Sequence, residues 1–297
     1  MAQLGFLGLG IMGYPMAGHL LKAGHEVALW TNQSRKAQEL AKTGKGTACA
    51  NPREVAERSD YIFYCVGDTK MARGITTGKN GLIEGVRKDA VISDCSTISP
   101  VVSRELGEVF AAKGAYFLDA PVTGSVPGAV NAALTFMIGG DQAAYDRAKP
   151  YMEIMGKLFY YCGAAGQGLL AKLTQNLVGA SIMQAFAEGM VLAVKNGISP
   201  ELMFEILDNS AAKSGLAAFK TPFILNRDFA PRFSTKWMHK DVGLALETAQ
   251  GLDLPLPVTA ITHQMLRAAI AKGWGDEDFV SVIRVLEDWA GVVVKKS

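Results

Sequence analysis

The first half of the chain alternates short apolar runs with longer stretches of helical periodicity. The runs occupy Leu4–Leu7, Glu26–Trp30, Tyr61–Val66, Ala90–Ser93, Tyr116–Leu118, Leu134–Ile138 and Leu158–Tyr161. Strands buried on both faces of a sheet read as continuously apolar, so this pattern predicts a parallel sheet. Met16–Ala23, Arg35–Lys42 and Pro100–Lys113 carry helical patterns between the runs, as helices covering both faces of such a sheet require.

After Gly163 the texture changes and strand-type runs thin out. Helices are predicted over Gly168–Asn196, Pro200–Lys213, Ser234–Gly251, Pro257–Lys272 and Asp276–Val294. At ~1.5 Å per residue the first spans about 40 Å, a rod able to join two domains. Asn196-Gly197 supplies a stop signal, and Ser199-Pro200 a restart with Ser as N-cap and Pro in the first turn. The fold expected is α/β: a doubly wound N-terminal domain (residues 1–165) and an all-helical C-terminal domain (residues 166–297), with the active site in the cleft between them.

Composition narrows the function classes. Lys and Arg total 30 against 28 for Asp and Glu, which argues against a nucleic-acid surface. The first residues have no charged n-region or cleavage site, so no secretory signal is expected. No stretch is expected to approach the ~20 apolar residues of a membrane helix. Cys49, Cys65, Cys95 and Cys162 show no zinc-type or CxxC spacing. They read as structural thiols in a reducing compartment, and the protein as cytoplasmic.

Gly8-Leu9-Gly10-Ile11-Met12-Gly13 is GxGxxG between a predicted strand and a predicted helix. Gly8 would allow the tight turn, Gly10 the approach of a pyrophosphate, and Gly13 close packing of helix on strand. The helix N-terminus would stabilise the negative charge. This is the fingerprint of a Rossmann-type dinucleotide site. Nicotinamide cofactors with a free ribose 2′-OH usually meet Asp or Glu at the end of the second strand. Here Trp30-Thr31-Asn32-Gln33-Ser34-Arg35-Lys36 contains no carboxylate. Thr31, Asn32 and Arg35 could bind a 2′-phosphate, so NADP is preferred and NAD remains open. Arg35 and Lys36 equally suit a solvated helix start.

Four further segments, taken with the N-terminal glycine run, resemble the β-hydroxyacid dehydrogenase family over essentially the whole chain. They are Asp94-Cys95-Ser96-Thr97-Ile98-Ser99-Pro100, Asp119-Ala120-Pro121-Val122-Thr123-Gly124-Ser125, Gly168-Leu169-Leu170-Ala171-Lys172-Leu173-Thr174-Gln175-Asn176, and Lys240-Asp241-Val242-Gly243-Leu244-Ala245. The resemblance implies hydride transfer between NAD(P)(H) and a small 3-hydroxy acid or semialdehyde bearing a carboxylate.

It also implies roles. Lys172 would be the catalytic acid/base, and Asn176 would orient the substrate; a separation of four puts both on one helix face. An unperturbed lysine titrates near about 10.4, so burial or a neighbouring cation would have to lower it. Thr123, Gly124 and Ser125 would hold the substrate's acid group through hydroxyls and backbone N–H groups. Related enzymes commonly read Ser-Gly-Gly there, a departure that bears on substrate size. Thr97 matches a position beside the nicotinamide ribose, although a helix-capping role competes for this segment. Val66 would touch the cofactor from the same rim, and Lys240 would lie near cofactor and substrate. Phe233 would cover the nicotinamide, with a core role as the alternative.

His19, His25, His239 and His263 lack metal spacing, and His239 reads as a solvated helix residue. No metal is expected, nor is acyl-transfer or P-loop chemistry. Asp94 and Asp119 sit at strand ends with no role in the expected chemistry. The resemblance further implies a homodimer or homotetramer, formed through the apolar long helix. Two alternatives stand: an imine reductase of the same superfamily, which usually carries another residue where Lys172 stands, and a non-catalytic nucleotide-binding module.

Overall fold

The computed structural model describes residues 3–296. The chain divides into two compact units, residues 1–172 and 173–297. The first is built on nine strands: β1 (Gln3–Leu7), β2 (Glu26–Trp30), β3 (Gly46–Ala48), β4 (Tyr61–Tyr64), β5 (Val91–Asp94), β6 (Tyr116–Asp119), β7 (Val122–Thr123), β8 (Leu134–Gly140) and β9 (Gly156–Gly163). They form one sheet in the order β3-β2-β1-β4-β5-β6-β8-β7, with β9 also paired to β8.

The β3-β2-β1-β4-β5-β6 part is wholly parallel. Its order reverses direction between β1 and β4, which opens the crevice where ligands of doubly wound sheets bind. The fully parallel sheet expected from the apolar runs stops there. β8 runs antiparallel to β6 and β7, and β9 parallel to β8. The alternation of side chains explains why both faces are buried: Leu4, Phe6 and Phe63 enter one core, Leu7, Ile62 and Tyr64 the other.

The second unit is helical. It contains most of the Gln167–Lys195 helix and the helices Pro200–Asp208, Gly215–Leu225, Thr235–Gln250, Pro257–Ala271 and Val282–Ala290. Its core gathers Met183, Phe186, Met190, Val242, Phe279 and Ile283. The expected restart is present: the Ser199 hydroxyl accepts from Leu202 N–H, with Pro200 at the first turn. Two predicted helices are shorter than expected. Pro200–Lys213 ends at Asp208, and Ser214 caps a separate helix. Asp276–Val294 becomes a 3-10 turn (Phe279–Ser281) and a short helix ended by Gly291 at φ 65°.

The expectation of no membrane-type stretch needs correction. The Gln167–Lys195 helix is long and apolar enough to cross a membrane by length and composition, with a mean hydropathy of 1.7 in an 18-residue window. Half of that window is buried within the protein, as a core helix requires.

Candidate active site

The glycine loop leaves the end of β1, and its three glycines meet three different constraints. Gly8 has φ +86°, and a Cβ there would lie 2.2 Å from the carbonyl oxygen of Cys65, the residue just past neighbouring β4. A Cβ on Gly13 would lie 1.9 Å from the Gly8 oxygen, so the helix Gly13–Lys22 can seat only without it. Gly10 differs: no atom lies within 4 Å of its Cβ position. The N-cap residue Met12 makes no side-chain cap bond to this helix. An open backbone at Gly10 beside an uncapped helix start fits a dinucleotide pyrophosphate. Leu9 is buried beneath the loop, while Ile11 is exposed.

Val66 and Thr97 lie on the same rim of the sheet. The Val66 N–H donates to the Ser96 hydroxyl at 2.9 Å, and Val66 Cγ1 comes within 3.2 Å of the Gly8 Cβ position. Thr97 follows Ser96 and is half-buried. The capping role that competed for this segment is absent in Ser99, whose side chain makes no cap bond to the Pro100–Ala111 helix.

After β2, Thr31 is buried and its hydroxyl donates to Asn32 Oδ1 at 3.3 Å. Arg35 is exposed and pairs with Glu39 at 2.7 Å. The Ser34–Ala41 helix starts with neither a side-chain cap nor an acidic residue in its first turn.

Lys172 and Asn176 are both buried, 8% and 3% exposed, one turn apart on the Gln167–Lys195 helix. The loop Thr123-Gly124-Ser125 follows β7. Gly124 has φ 130° and Ser125 φ 54°, so serine stands in the left-handed region that glycine occupies most cheaply. Thr123 and Ser125 are half-buried and Gly124 is exposed.

Residues 3–163 match the family described as the NAD binding domain of 6-phosphogluconate dehydrogenase. Residues 166–286 match that described as NAD-binding of NADP-dependent 3-hydroxyisobutyrate dehydrogenase. The chain is 37% identical to 2-(hydroxymethyl)glutarate dehydrogenase of Eubacterium barkeri, over 98% of this chain and 97% of that one. It belongs to the β-hydroxyacid dehydrogenase family.

Membership makes the chain an NAD(P)-dependent oxidoreductase. Another relative is glyoxylate/succinic semialdehyde reductase 2 of Arabidopsis thaliana, 34% identical over 96% of this chain and 79% of the relative. The solved structure of Mycobacterium tuberculosis 3-hydroxyisobutyrate dehydrogenase with L-serine superposes with a TM-score of 0.88 at 33% identity, covering 96% of this chain and 99% of that one. An imine reductase from Pseudomonas sp. has a TM-score of 0.62 at 19% identity, covering 96% and 99% of the two chains, and shares the fold alone.

Within the family's Lys240-Asp241 stretch, sequence reasoning singled out the lysine and passed over its neighbour. Asp241, 2% exposed, accepts from Asn176 Nδ2 at 2.6 Å on one oxygen and pairs with Lys240 Nζ at 3.0 Å on the other. It therefore fixes the amide of Asn176 and ties it to Lys240. Phe233 is held by another acid that pattern reasoning missed. Asp278 accepts from the backbone N–H groups of Arg232, Phe233 and Val280 and from the buried Lys220 ammonium at 2.7–2.8 Å. The signals available were only an Asp beside a motif lysine and an Asp before an apolar run.

His239, expected as a solvated helix residue, is instead half-buried and stacked on His263 at 3.9 Å between ring centroids. Burial, with His263 and Arg267 nearby, lowers its pKa to about 4, so the ring is neutral at physiological pH. Burial pushes Asp94 up to about 7, opposed by hydrogen bonds from Ser96 and Tyr64. It pushes Asp119 up to about 6, opposed by the N–H groups of Gly166 and Leu169. Among the described residues, no three His, Cys, Asp or Glu side chains converge as metal ligands would.

Proposed function

We propose that this enzyme exchanges a hydride between NADP(H) and a small carboxylate-bearing 3-hydroxy acid or its semialdehyde, with Lys172 as acid/base. The observation that carries the reading is a buried lysine one turn from a buried asparagine whose amide is fixed by Asp241. The Gly8–Gly13 loop, Val66 and Thr97 would hold the nicotinamide cofactor, which would supply or accept the hydride when bound. Asn176 orients the substrate through the amide held by Asp241. Thr123, Ser125 and the exposed backbone of Gly124 hold its carboxylate. Lys172 gives a proton to the carbonyl oxygen during reduction and takes one from the hydroxyl during oxidation. In this reading Lys240 would contribute positive charge and Phe233 an aromatic face.

The preference for NADP rests on the absence of a carboxylate between Trp30 and Gln38 and on the uncapped start of the Ser34–Ala41 helix. The Arg35–Glu39 pair is exposed, so its interaction is weak and Arg35 can turn to a phosphate. We further propose a homodimer or homotetramer. The long helix exposes Val178, Ile182 and Leu192, an apolar stripe suited to a second copy. The four cysteines are free thiols, in keeping with a reducing cytoplasm.

Absorbance at 340 nm, followed with NADH and NADPH in turn against semialdehydes, glyoxylate and imines, tests this reading. Carbonyl-dependent oxidation that Lys172→Ala abolishes while cofactor affinity is kept supports it. Equal loss of turnover and affinity, or full activity of the variant, overturns the role of Lys172. Silence toward carbonyls with cofactor bound shifts the assignment to imines or to a non-catalytic module.

A further inference from the structure

The Gln167–Lys195 helix begins without a capping residue of its own. Gly163-Ala164-Ala165-Gly166-Gln167-Gly168 offers no Ser, Thr, Asp or Asn to its first N–H groups. Asp119, at the end of β6 and 1% exposed, supplies the acceptors instead. Its Oδ1 accepts from Gly166 N–H at 2.7 Å and its Oδ2 from Leu169 N–H at 2.8 Å. The Gly168 N–H also bonds to Asp119. The seat is tight: a Cβ on Gly168 would lie 2.4 Å from the backbone oxygen of Met137 and 2.8 Å from that of Asp119. One on Gly139 would lie 2.6 Å from Asp119 Oδ1.

Lys172 follows Leu169 by three residues and Gly168 by four, so it stands on the capped face about one turn, ~5 Å, along the axis. Thr123 follows Asp119 by four residues, and its strand is tied to β8 through Val122↔Phe136 and Thr123↔Thr135.

We infer that Asp119 is a positioning residue for the reaction: its carboxylate locks the first helical turn, and so Lys172, in register with the Thr123–Ser125 loop that follows four residues further along the chain, after β7. The inference rests on the proposed role of Lys172. A neutral cap would satisfy a helix start more cheaply than a buried charge. The charge adds a favourable interaction with the helix dipole, and two oxygens on N–H groups three residues apart, those of Gly166 and Leu169, fix rotation as well as position. The titratable and charged groups near Asp119 are Asp94 in register on β5, Cys162 on β9 and Arg104 near Gly166 from the Pro100–Ala111 helix; Lys172 stands about one turn further along the capped helix.

Asp119→Asn keeps one acceptor but turns an N–H donor toward a backbone N–H. It should lower kcat about 10- to 100-fold, the cost of roughly an ångström of misplacement, with cofactor Kd within twofold of wild type. Because the ionised carboxylate makes the cap, kcat of the wild type should fall as pH drops through about 6. That limb should vanish in Asp119→Asn and persist in Asp94→Asn. Asp119→Glu should recover part of kcat. Asp119→Ser, which keeps a single small acceptor, serves if the asparagine variant fails to fold. Unchanged kcat, a matching loss of cofactor affinity, or an acid limb retained by the Asp119 variants would overturn the inference. Lys172→Ala in the same assay separates the two failures. An active Lys172→Ala defeats the acid/base reading itself, whereas an inactive one beside a normal Asp119→Asn defeats only the positioning role.

Discussion

Alanine substitution of each fingerprint glycine should split stability from cofactor binding. Gly8→Ala places a residue at φ +86° with its Cβ 2.2 Å from a backbone oxygen. The left-handed conformation costs ~1–2 kcal/mol, and the overlap forces a strand shift worth at least about 1–3 kcal/mol more. Gly13→Ala, at 1.9 Å from the Gly8 oxygen, carries the second cost without the first. At roughly 2–4 °C per kcal/mol, Tm should drop by about 10 °C for Gly8→Ala and by about 5 °C for Gly13→Ala. Gly10→Ala meets nothing within 4 Å and restricts the unfolded chain, so its Tm should hold or rise by ~1–3 °C. Its methyl would occupy the space left for the pyrophosphate, weakening cofactor binding by about 10- to 100-fold, equivalent to ~1–3 kcal/mol of overpacking. Scanning calorimetry of the unliganded proteins and fluorescence titration with NADPH give the two readouts. Wild-type NADPH affinity in Gly10→Ala would refute the assignment of the loop's open face to the cofactor. An unaltered Tm in Gly8→Ala would refute the steric account.

Asp94 is raised from 3.8 to about 7 by burial, so the folded state holds its proton more tightly than the unfolded chain. Its contribution is therefore full at low pH and is lost as pH rises through about 7, a difference of about 4 kcal/mol. Asp94→Asn should gain stability over wild type between pH 5 and pH 8 in urea unfolding; a pH-independent difference would sink the argument. Lys220→Met should cost about 3 kcal/mol by leaving the Asp278 charge buried. A loss below about 1 kcal/mol would mean that the backbone N–H groups of Arg232, Phe233 and Val280 satisfy Asp278 unaided.

Much of this was legible in the residues because it is local. Glu26–Trp30 is a strand with the bounds that its apolar run predicts, and the glycine fingerprint sits between β1 and a helix as its spacing requires. Strand direction was not legible. An apolar run looks the same whichever way it points, so the antiparallel β8 is settled only by pairing with β6 and β7. The overlong C-terminal helices had readable stops in Asn209-Ser210 and Gly291, which apolar periodicity overrode. Asp241, Asp278 and Asp119 escaped for a different reason. Their partners Asn176, Lys220 and Gly166 lie 65, 58 and 47 positions away, and nothing in a window of pattern reveals that a carboxylate faces inward.

The borrowed cap also bears on the order in which the chain acquires structure. A helix with its own N-cap can nucleate from local contacts, whereas the first turn of Gln167–Lys195 waits for acceptors from Asp119. Those contacts close loops of 47 and 50 residues, and they form only after β6 has joined the sheet. The first turn is therefore expected to consolidate late, on the native side of the folding barrier, while the body of the helix can form earlier from its own periodicity. During synthesis Asp119 leaves the ribosome well before its helix does, so the sheet edge can be in place when Gly166 arrives.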